Sequence, residues 1–320
     1  MKKLSIFLFL AATMLLIPAC KHSTDNSNDK KTQEKDESDP SNTQDPNGNN
    51  PEDNNNGSEQ ESSGEEYAAV AFGDFSISFL KKYSDSVTID ETAKTITLAP
   101  ADEKVEYTLS GSFDGQIINK TKNTVLILNN AALTNTTGVA AIYGELKTEI
   151  KAEKDSVNTI TVTGTPDDPD TWKAAVLCDK AIEIGGSGTL TVSCEYGHGV
   201  KGSKIELKGS GTYTFDGGDD SSAVNCNEFA VEADKTFTAN FKNSKNGIKA
   251  DETITIASGT YNFDSIIKVA LKTDTSKNDA TKEHFIQLDG GTFTFTNCAK
   301  TYDTEKDKFT KADAVVGDFD

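Results

Sequence analysis

Residues 246–263 read "NGIKADETITIASGTYNF", and residues 198–215 read "HGVKGSKIELKGSGTYTF". In both stretches the second to fourth residues are Gly, an aliphatic residue and Lys, and both end with a Thr-Tyr-x-Phe run. Short runs rich in β-branched and aromatic residues, separated by Gly, Ser, Asn and Asp, are typical of β-strands and tight turns. Because Val224 lies midway between Val200 and Ile248, the two stretches are copies of one 24-residue repeat.

The repeat extends along most of the chain. Seven aliphatic positions, called here the anchor residues, recur mostly at intervals of 23 or 24, with a longer interval of 34 that accommodates "TPDDPDTWK": Ile118, Ile142, Val176, Val200, Val224, Ile248 and Leu271. A β-sandwich would also supply many short strands, but it has no reason to keep a constant period. Repeats of three short strands without a helix predict an all-β parallel β-helix with coils of about 24 residues.

Strand alternation assigns side chains to the inside or the outside of this β-helix. The anchor residues point inward, and so does a column of small residues two positions later: Gly144, Cys178, Gly202, Cys226, Ala250 and Thr273. Tyr213, Phe237 and Tyr261 are 24 residues apart and are therefore expected in the core. Cys178 and Cys226 share a column but lie two coils apart, or roughly 9.6 Å, which is too far for a disulfide.

The N-terminus indicates export. Residues 1–19 combine two lysines, an apolar run and a small residue before Cys20, which is the pattern of a bacterial lipoprotein signal peptide with Cys20 as the lipidated residue. Ordinary secretion with a leftover cysteine is the alternative. Residues 20–66 are rich in Asn, Asp, Glu and Ser, so we expect a disordered tether. Together these features predict an exported lipoprotein of the bacterial cell envelope, attached to the membrane only through its N-terminal lipid.

The rest of the chain divides into residues 67–114 as an N-terminal cap with the first strands, 115–298 as the β-helix, and 299–320 as a C-terminal tail or cap. We expect a monomer. The chain has a net charge of −19 and contains no arginine. Such an acidic balance argues against nucleic acid or an anionic membrane surface as a partner, whereas an acidic ligand would need a cation bridge or a local basic patch.

Outward positions on the anchor strand are candidates for a binding face. One residue after the anchors come Tyr143, Leu177, Lys201, Asn225, Lys249 and Lys272, and three residues after them come acidic or polar residues that include Asp179 and Asp251. A solvated face with ion pairs between coils is one explanation. The other is a linear binding face, on which Tyr143, Lys201, Asn225, Lys249 and Lys272 contact an extended acidic polymer.

Acidic turns are candidates for calcium, which prefers several carboxylate and carbonyl oxygens. Asp216, Asp219 and Asp220 lie within five residues, although the sequence does not match an EF-hand loop. We therefore predict Asp179, Asp216, Asp219, Asp220 and Asp251 as metal ligands. Trp172, the single tryptophan, either stacks on a sugar ring or anchors the insertion that contains it.

A family resemblance adds to this interpretation. The coil sequence "AAVLCDKAIEIGGSGTLTVSCEYGHGVKGSKIELKGSGT" at residues 174–212, together with "VTIDETAKTITLAPADEKVEYTLSGSFDGQ" at residues 87–116, resembles bacterial carbohydrate-binding-domain lipoproteins. The resemblance implies a right-handed parallel β-helix, related in fold to pectate lyases, that binds an acidic polysaccharide such as polygalacturonate with calcium. The family often has Asp-Gly-Ile at the anchor, where this chain has His198, Ser222 and Asn246 in place of the aspartate.

Three classes of function follow. The leading hypothesis is a surface-tethered, non-catalytic protein that binds acidic polysaccharide with calcium. The first alternative is a calcium-assisted polysaccharide lyase that uses Lys201 or Lys249 as the base for β-elimination. The absence of arginine disfavours this lyase, because arginine is well suited to hold a planar carboxylate. The second alternative is a structural adhesin without a sugar ligand.

Overall fold

The computed structural model describes residues 65–100, 103–274, 283–303 and 308–319. The chain divides into two units, Met1–Glu61 and Ser62–Asp320, and all the described residues belong to the second. The predicted signal peptide, Cys20 and the tether up to residue 64 lie outside the described residues. Within the described ranges, no helix has the length and apolar character needed to cross a membrane.

The described residues are almost entirely β-strands, with one short 3₁₀ helix at Lys81–Ser86. The strands are β1 (Tyr67–Phe72), β2 (Phe75–Leu80), β3 (Val87–Asp90), β4 (Thr95–Leu98), β5 (Val105–Asp114), β6 (Gln116–Asn119), β7 (Thr124–Asn135), β8 (Ile142–Gly144), β9 (Thr148–Ala152), β10 (Val157–Val162), β11 (Ala174–Cys178), β12 (Ala181–Gly186), β13 (Thr189–Cys194), β14 (His198–Lys201), β15 (Lys204–Leu207), β16 (Thr212–Asp216), β17 (Ser222–Val231), β18 (Thr238–Ile256), β19 (Thr260–Thr273), β20 (Phe285–Leu288), β21 (Thr292–Thr296), β22 (Tyr302–Asp303) and β23 (Lys308–Lys311).

Successive coils pair in parallel and form three sheet faces. The first sheet contains β4, β6, β8, β11 and β14, then parts of β17, β18 and β19, and finally β22. The second sheet runs from β5 through β7, β9, β12 and β15 to β23, and the third from β5 through β7, β10, β13 and β16 to β21. The predicted all-β, parallel β-helix-like arrangement is confirmed, while its right-handedness stays a prediction.

The parallel stack reaches beyond residues 115–298 at both ends. It begins at β4 and β5 and continues to β22 and β23. Before it, β1 and β2 form an antiparallel hairpin, and β2 pairs antiparallel with β5. Phe75, Ile77 and Phe79 of β2 are buried in the core, so the hairpin covers apolar residues at the start of the stack.

The anchor column is confirmed except at its first member. Ile142, Val176, Val200, Val224, Ile248 and Leu271 are register partners in sequence and are all buried. Ile118 was the wrong choice, because Ile117 pairs with Ile142 and is buried whereas Ile118 faces outward. The interval from Ile117 to Ile142 is 25 residues, so a count of 24 back from Ile142 selects Ile118 instead of Ile117.

The predicted aromatic core is confirmed. Tyr213, Phe237 and Tyr261 are fully buried, with ring centroids 5.8 and 5.7 Å apart between neighbours. However, the register partner of Tyr213 and Tyr261 is Ala239, so Phe237 reaches the stack from just before β18. A second stack, which the repeat analysis missed, is formed by Phe215, Phe241, Phe263 and Phe295.

The four described cysteines are free thiols. Cys178, Cys194 and Cys226 are buried and Cys298 is half-buried. Burial raises the pKa of each thiol, which keeps it protonated at neutral pH. The small column is also confirmed, since Cys178 pairs in register with Gly144 and Cys226 with Ala250.

Glu183, on the outward face of the second sheet, links its own coil to the coils on both sides. Its carboxylate forms ion pairs with Lys147 at 2.6 Å and with Lys208 at 2.9 Å. Burial alone would raise the pKa of Glu183, but the hydrogen bonds from these lysines outweigh burial and lower the pKa to about 2, from an ordinary 4.5. A depressed carboxyl pKa stabilises the fold above the ordinary value and loses this effect as the pH falls towards 2.

We therefore expect Glu183→Gln to lower the free energy of unfolding by about 1–2 kcal/mol at pH 7, with a smaller difference from the wild type at each step towards pH 3. Urea denaturation across this pH range measures the effect. Glu232→Gln is the control, because the Glu232 side chain is 76% exposed and pairs loosely with Lys235, at 3.5 Å, three residues along the chain. A Glu183→Gln difference that stays constant with pH would contradict the assignment.

Candidate functional site

The outward column of the first sheet is present as predicted. In Cα register, Tyr143 aligns with Leu177, Leu177 with Lys201, Lys201 with Asn225, Asn225 with Lys249, and Lys249 with Lys272. Neighbouring coils are about 4.8 Å apart in a sheet of this kind. The column is therefore a straight line of side chains along the axis of the stack.

A cavity of about 300 Å³ opens on the C-terminal half of this column, and we call it the lysine cavity. Its lining residues come from the first sheet and from the turns that lead into it. They are His198, Asp220, Ser222, Asn225, Lys245, Asn246, Lys249, Lys268, Lys272 and Asp274. Four lysines against two aspartates leave two excess positive charges, on a chain whose overall charge is −19.

The protein's own carboxylates form ion pairs with two of the lysines at the rim of this cavity. Lys249 contacts Asp274 at 2.8 Å and Asp251 at 3.8 Å, and Lys245 contacts Asp220 at 3.7 Å. The Lys249 side chain is only 24% exposed. A partly buried ammonium held by carboxylates is pre-positioned, so an incoming anion gains attraction without first ordering the side chain.

His198 lies at the N-terminal edge of the lysine cavity. Burial, followed by the positive charge of Lys201, lowers the pKa of His198 to about 4, so the ring is neutral at pH 7. Its Nδ1 accepts a hydrogen bond from the Ser222 backbone N–H at 2.9 Å, which assigns the proton to Nε2. The ring is therefore a hydrogen-bond donor at this edge and a poor general base.

The structure brings only part of the predicted binding set together. Asn225, Lys249 and Lys272 line the lysine cavity. Lys201 is the register neighbour of Asn225 but lies outside the lining. Lys245 and Lys268 also line the cavity but were not among the predicted residues, and each precedes its anchor by three residues. The register thus places the two lysines at equivalent positions, but their place in a cavity depends on the path of the corner between coils.

Tyr143 and Trp172 lie at the other end of the column, in a small apolar cluster. Their rings meet edge to face with centroids 5.4 Å apart, and they pack on Ala140, Ala174 and Leu177. The Tyr143 hydroxyl donates to Asp179 at 2.8 Å. Of the two roles considered for Trp172, this packing supports an anchor for the insertion.

The five residues predicted as metal ligands do not form one site. Asp179 accepts from Tyr143, Asp251 lies beside Lys249, and Asp216 accepts from Asn243 at 2.7 Å. Asp219 and Asp220 follow Asp216 in the turn before β17. Across the described part of the chain, no three His, Cys, Asp or Glu side chains are grouped so that they could hold a metal ion. The described side chains alone thus do not provide a complete calcium site of the kind that the family resemblance implies.

Two comparisons with known proteins gave a match, one to a protein family and one to a solved structure. Residues 90–239 match the family model described as "Carbohydrate-binding domain-containing protein", which confirms the family resemblance. A solved structure described as the polysaccharide lyase-like protein from C. thermocellum, in a gadolinium derivative, is similar with a TM-score of 0.52 and 18% identity over 71% of this chain and 93% of that chain. This second likeness concerns the fold alone. No curated protein matches the chain.

Proposed function

From the match of residues 90–239 to the carbohydrate-binding domain-containing family, we propose that this protein binds a polysaccharide in the lysine cavity. The ligand class is an acidic, polygalacturonate-like polymer. The observation that carries this choice is the excess of lysine over aspartate in a cavity on a strongly acidic chain. Negative charge elsewhere would direct a polyanion away from other surfaces and towards this one.

The shape of the site suits an extended ligand. Lys249 and Lys272 are register partners on adjacent coils, and Lys201 lies two coils before Lys249 in the same column. Carboxylates repeated along a polymer could thus meet ammonium groups repeated along the stack. Hydrogen-bonding groups from Asn225, Asn246 and the neutral His198 would contact sugar hydroxyls between them.

Calcium assistance is a separate proposal. Because no three acidic side chains converge among the described residues, calcium held by these residues would also need oxygen atoms from the ligand or the backbone. Anchoring at the cell envelope through Cys20 is likewise a proposal, since Cys20 lies outside the described residues.

Binding to immobilised polygalacturonate tests the proposed function. We expect the protein to be retained at low ionic strength and released as salt screens the lysine–carboxylate attraction. Retention should be compared in EDTA and in CaCl₂. Stronger retention in CaCl₂ would support calcium-assisted binding, and equal retention would contradict it. Failure to bind polygalacturonate under either condition would contradict the proposed ligand, and a glycan array without any hit would favour a structural adhesin.

A lyase acting by β-elimination is the second candidate, because the similar solved structure is described as polysaccharide lyase-like. Catalysis would require a group that removes the proton beside the uronate carboxylate. The low pKa of His198 and its engaged Nδ1 disfavour that ring as the base. Ultraviolet absorbance from unsaturated uronate products, followed over hours with calcium, distinguishes the lyase from a binding protein.

A further inference from the structure

A second cavity, of about 800 Å³, opens on the outward face of the third sheet. It lies between the turn that follows β13 and the turn that follows β16, and its most exposed aromatic residue is Tyr196, so we call it the Tyr196 groove. None of the residues predicted to bind the polymer lines it. Asp220 is shared between this groove and the lysine cavity, so the two sites adjoin at that residue.

The floor of the Tyr196 groove is a column of polar side chains. Thr161, Ser193 and Asp216 are register partners on three successive coils, and Ser193 donates to the Thr161 hydroxyl at 3.2 Å. Asn243 donates to one carboxylate oxygen of Asp216 at 2.7 Å. The second Asp216 oxygen and the Asn243 Oδ1 are acceptors, and the second N–H of the Asn243 amide is a donor beside them. Adjacent sugar hydroxyls suit this arrangement, because each hydroxyl both donates and accepts.

Tyr196 supplies an aromatic surface at the side of this polar floor. The residue is 42% exposed, although a tyrosine ring is large and mostly apolar. Its turn is fixed by neighbours: the Gly197 N–H donates to the Cys194 Sγ at 3.1 Å, and the Gly218 N–H donates to the Gly197 carbonyl at 2.9 Å. A Cβ at Gly218 would lie 2.5 Å from the Glu195 carbonyl, so the two turns approach as closely as glycine allows. The backbone that carries Tyr196 is therefore fixed before any ligand arrives.

The charge of the groove differs from that of the lysine cavity. Four carboxylates line it, those of Glu195, Asp216, Asp219 and Asp220, and no lysine is among its lining residues. A uronate would meet like charge here. An uncharged sugar offers hydroxyls to the polar floor and an apolar ring face to Tyr196 without this repulsion.

We propose that the Tyr196 groove is a second carbohydrate site, which binds an uncharged sugar unit by stacking on Tyr196 and hydrogen bonding to Asp216 and Asn243. This site goes beyond the proposed function, because its ligand class differs from that of the lysine cavity. Its position beside Asp220 allows one polymer with both acidic and neutral units to occupy the two cavities together.

Ligand-observed NMR and calorimetry with four uncharged trisaccharides (cellotriose, xylotriose, β-1,4-galactotriose and maltotriose) test this proposal on the full chain. We expect saturable binding of at least one trisaccharide, weakened about tenfold or more by Tyr196→Ala. Tyr196→Phe should retain binding, because the ring remains. Asn243→Ala should weaken it independently of the aromatic residue.

Two controls separate this site from others. Tyr67→Ala removes another exposed tyrosine, which is 67% exposed on β1, and should leave trisaccharide binding unchanged. The Lys249→Ala/Lys272→Ala variant should also bind the uncharged trisaccharide with wild-type affinity, although its binding of polygalacturonate is weakened. The proposal is overturned if none of the four trisaccharides binds, or if Tyr196→Ala binds the probe as well as the wild type does.

Discussion

Lys249→Ala combined with Lys272→Ala is expected to weaken the binding of oligogalacturonate by about 10- to 100-fold at low salt, which corresponds to about 1.4–2.8 kcal/mol. The two lysines are adjacent in register, and the Lys249 side chain is largely buried between Asp251 and Asp274. Removing both ammonium groups leaves these carboxylates facing the ligand. The variant therefore loses attraction and gains repulsion at the same place.

Calorimetry with a defined oligogalacturonate at two salt concentrations measures this effect. Lys122→Ala/Lys154→Ala is the matched control, because both lysines are exposed and lie outside the lysine cavity while the change in net charge is the same. We expect this control to bind within about twofold of the wild type, since exposed charges outside the cavity act on the ligand only weakly through high-dielectric solvent. Equal affinities for the two double variants would contradict the assignment of the lysine cavity.

Lys245→Ala/Lys268→Ala provides a second, independent perturbation of the same cavity. Lys268 is exposed, so its loss should not disturb the core. Circular dichroism and thermal melts of every variant show whether a loss of binding reflects a loss of fold. A variant that melts like the wild type but fails to bind locates the effect in the site.

The repeat predicted the fold because the stacking of coils requires inward residues at a regular spacing, and this spacing is visible in the sequence. Each coil must place one aliphatic residue beneath the next, so Val200, Val224 and Ile248 keep their spacing of 24 residues. The same rule failed at Ile118, where one additional residue in the coil shifted the inward position to Ile117. A period identifies the architecture, but a local insertion changes which side chain is buried, and alternation alone cannot reveal it.

The lysine cavity was harder to predict, because it depends on a local irregularity. Ser244 pairs with Ile266 whereas Asn246 pairs with Val269, so one extra residue is accommodated in β19 between these pairs. The bulge lies where Ile267 and Lys268 are exposed. β-Bulges re-aim side chains in this way. The outward column could therefore be derived from strand periodicity. That Lys268 lines the cavity could be seen only from the path of the backbone at the bulge in β19.

The largest effect on stability is expected from Phe241→Ala. Phe241 is fully buried in the second aromatic stack, with ring centroids 5.5 Å from Phe215 and 4.7 Å from Phe263. Loss of a buried phenylalanine costs about 3–5 kcal/mol, because the transfer energy is lost and a cavity remains. Because Phe241 lies on β18, which pairs in parallel with β16 and β19, backbone movement into that space would strain this pairing.

Phe295→Ala is the control for this prediction, because it removes the same side chain from the same stack at a position that is only half-buried. We expect less than half the destabilisation at Phe295, measured by urea denaturation. Since each coil contacts mainly its neighbours, hydrogen exchange should show that Phe241→Ala increases exchange most in β16, β18 and β19 and least in β6 and β8. Similar losses for the two variants, or an increase spread evenly over all coils, would show that the stack does not carry stability locally.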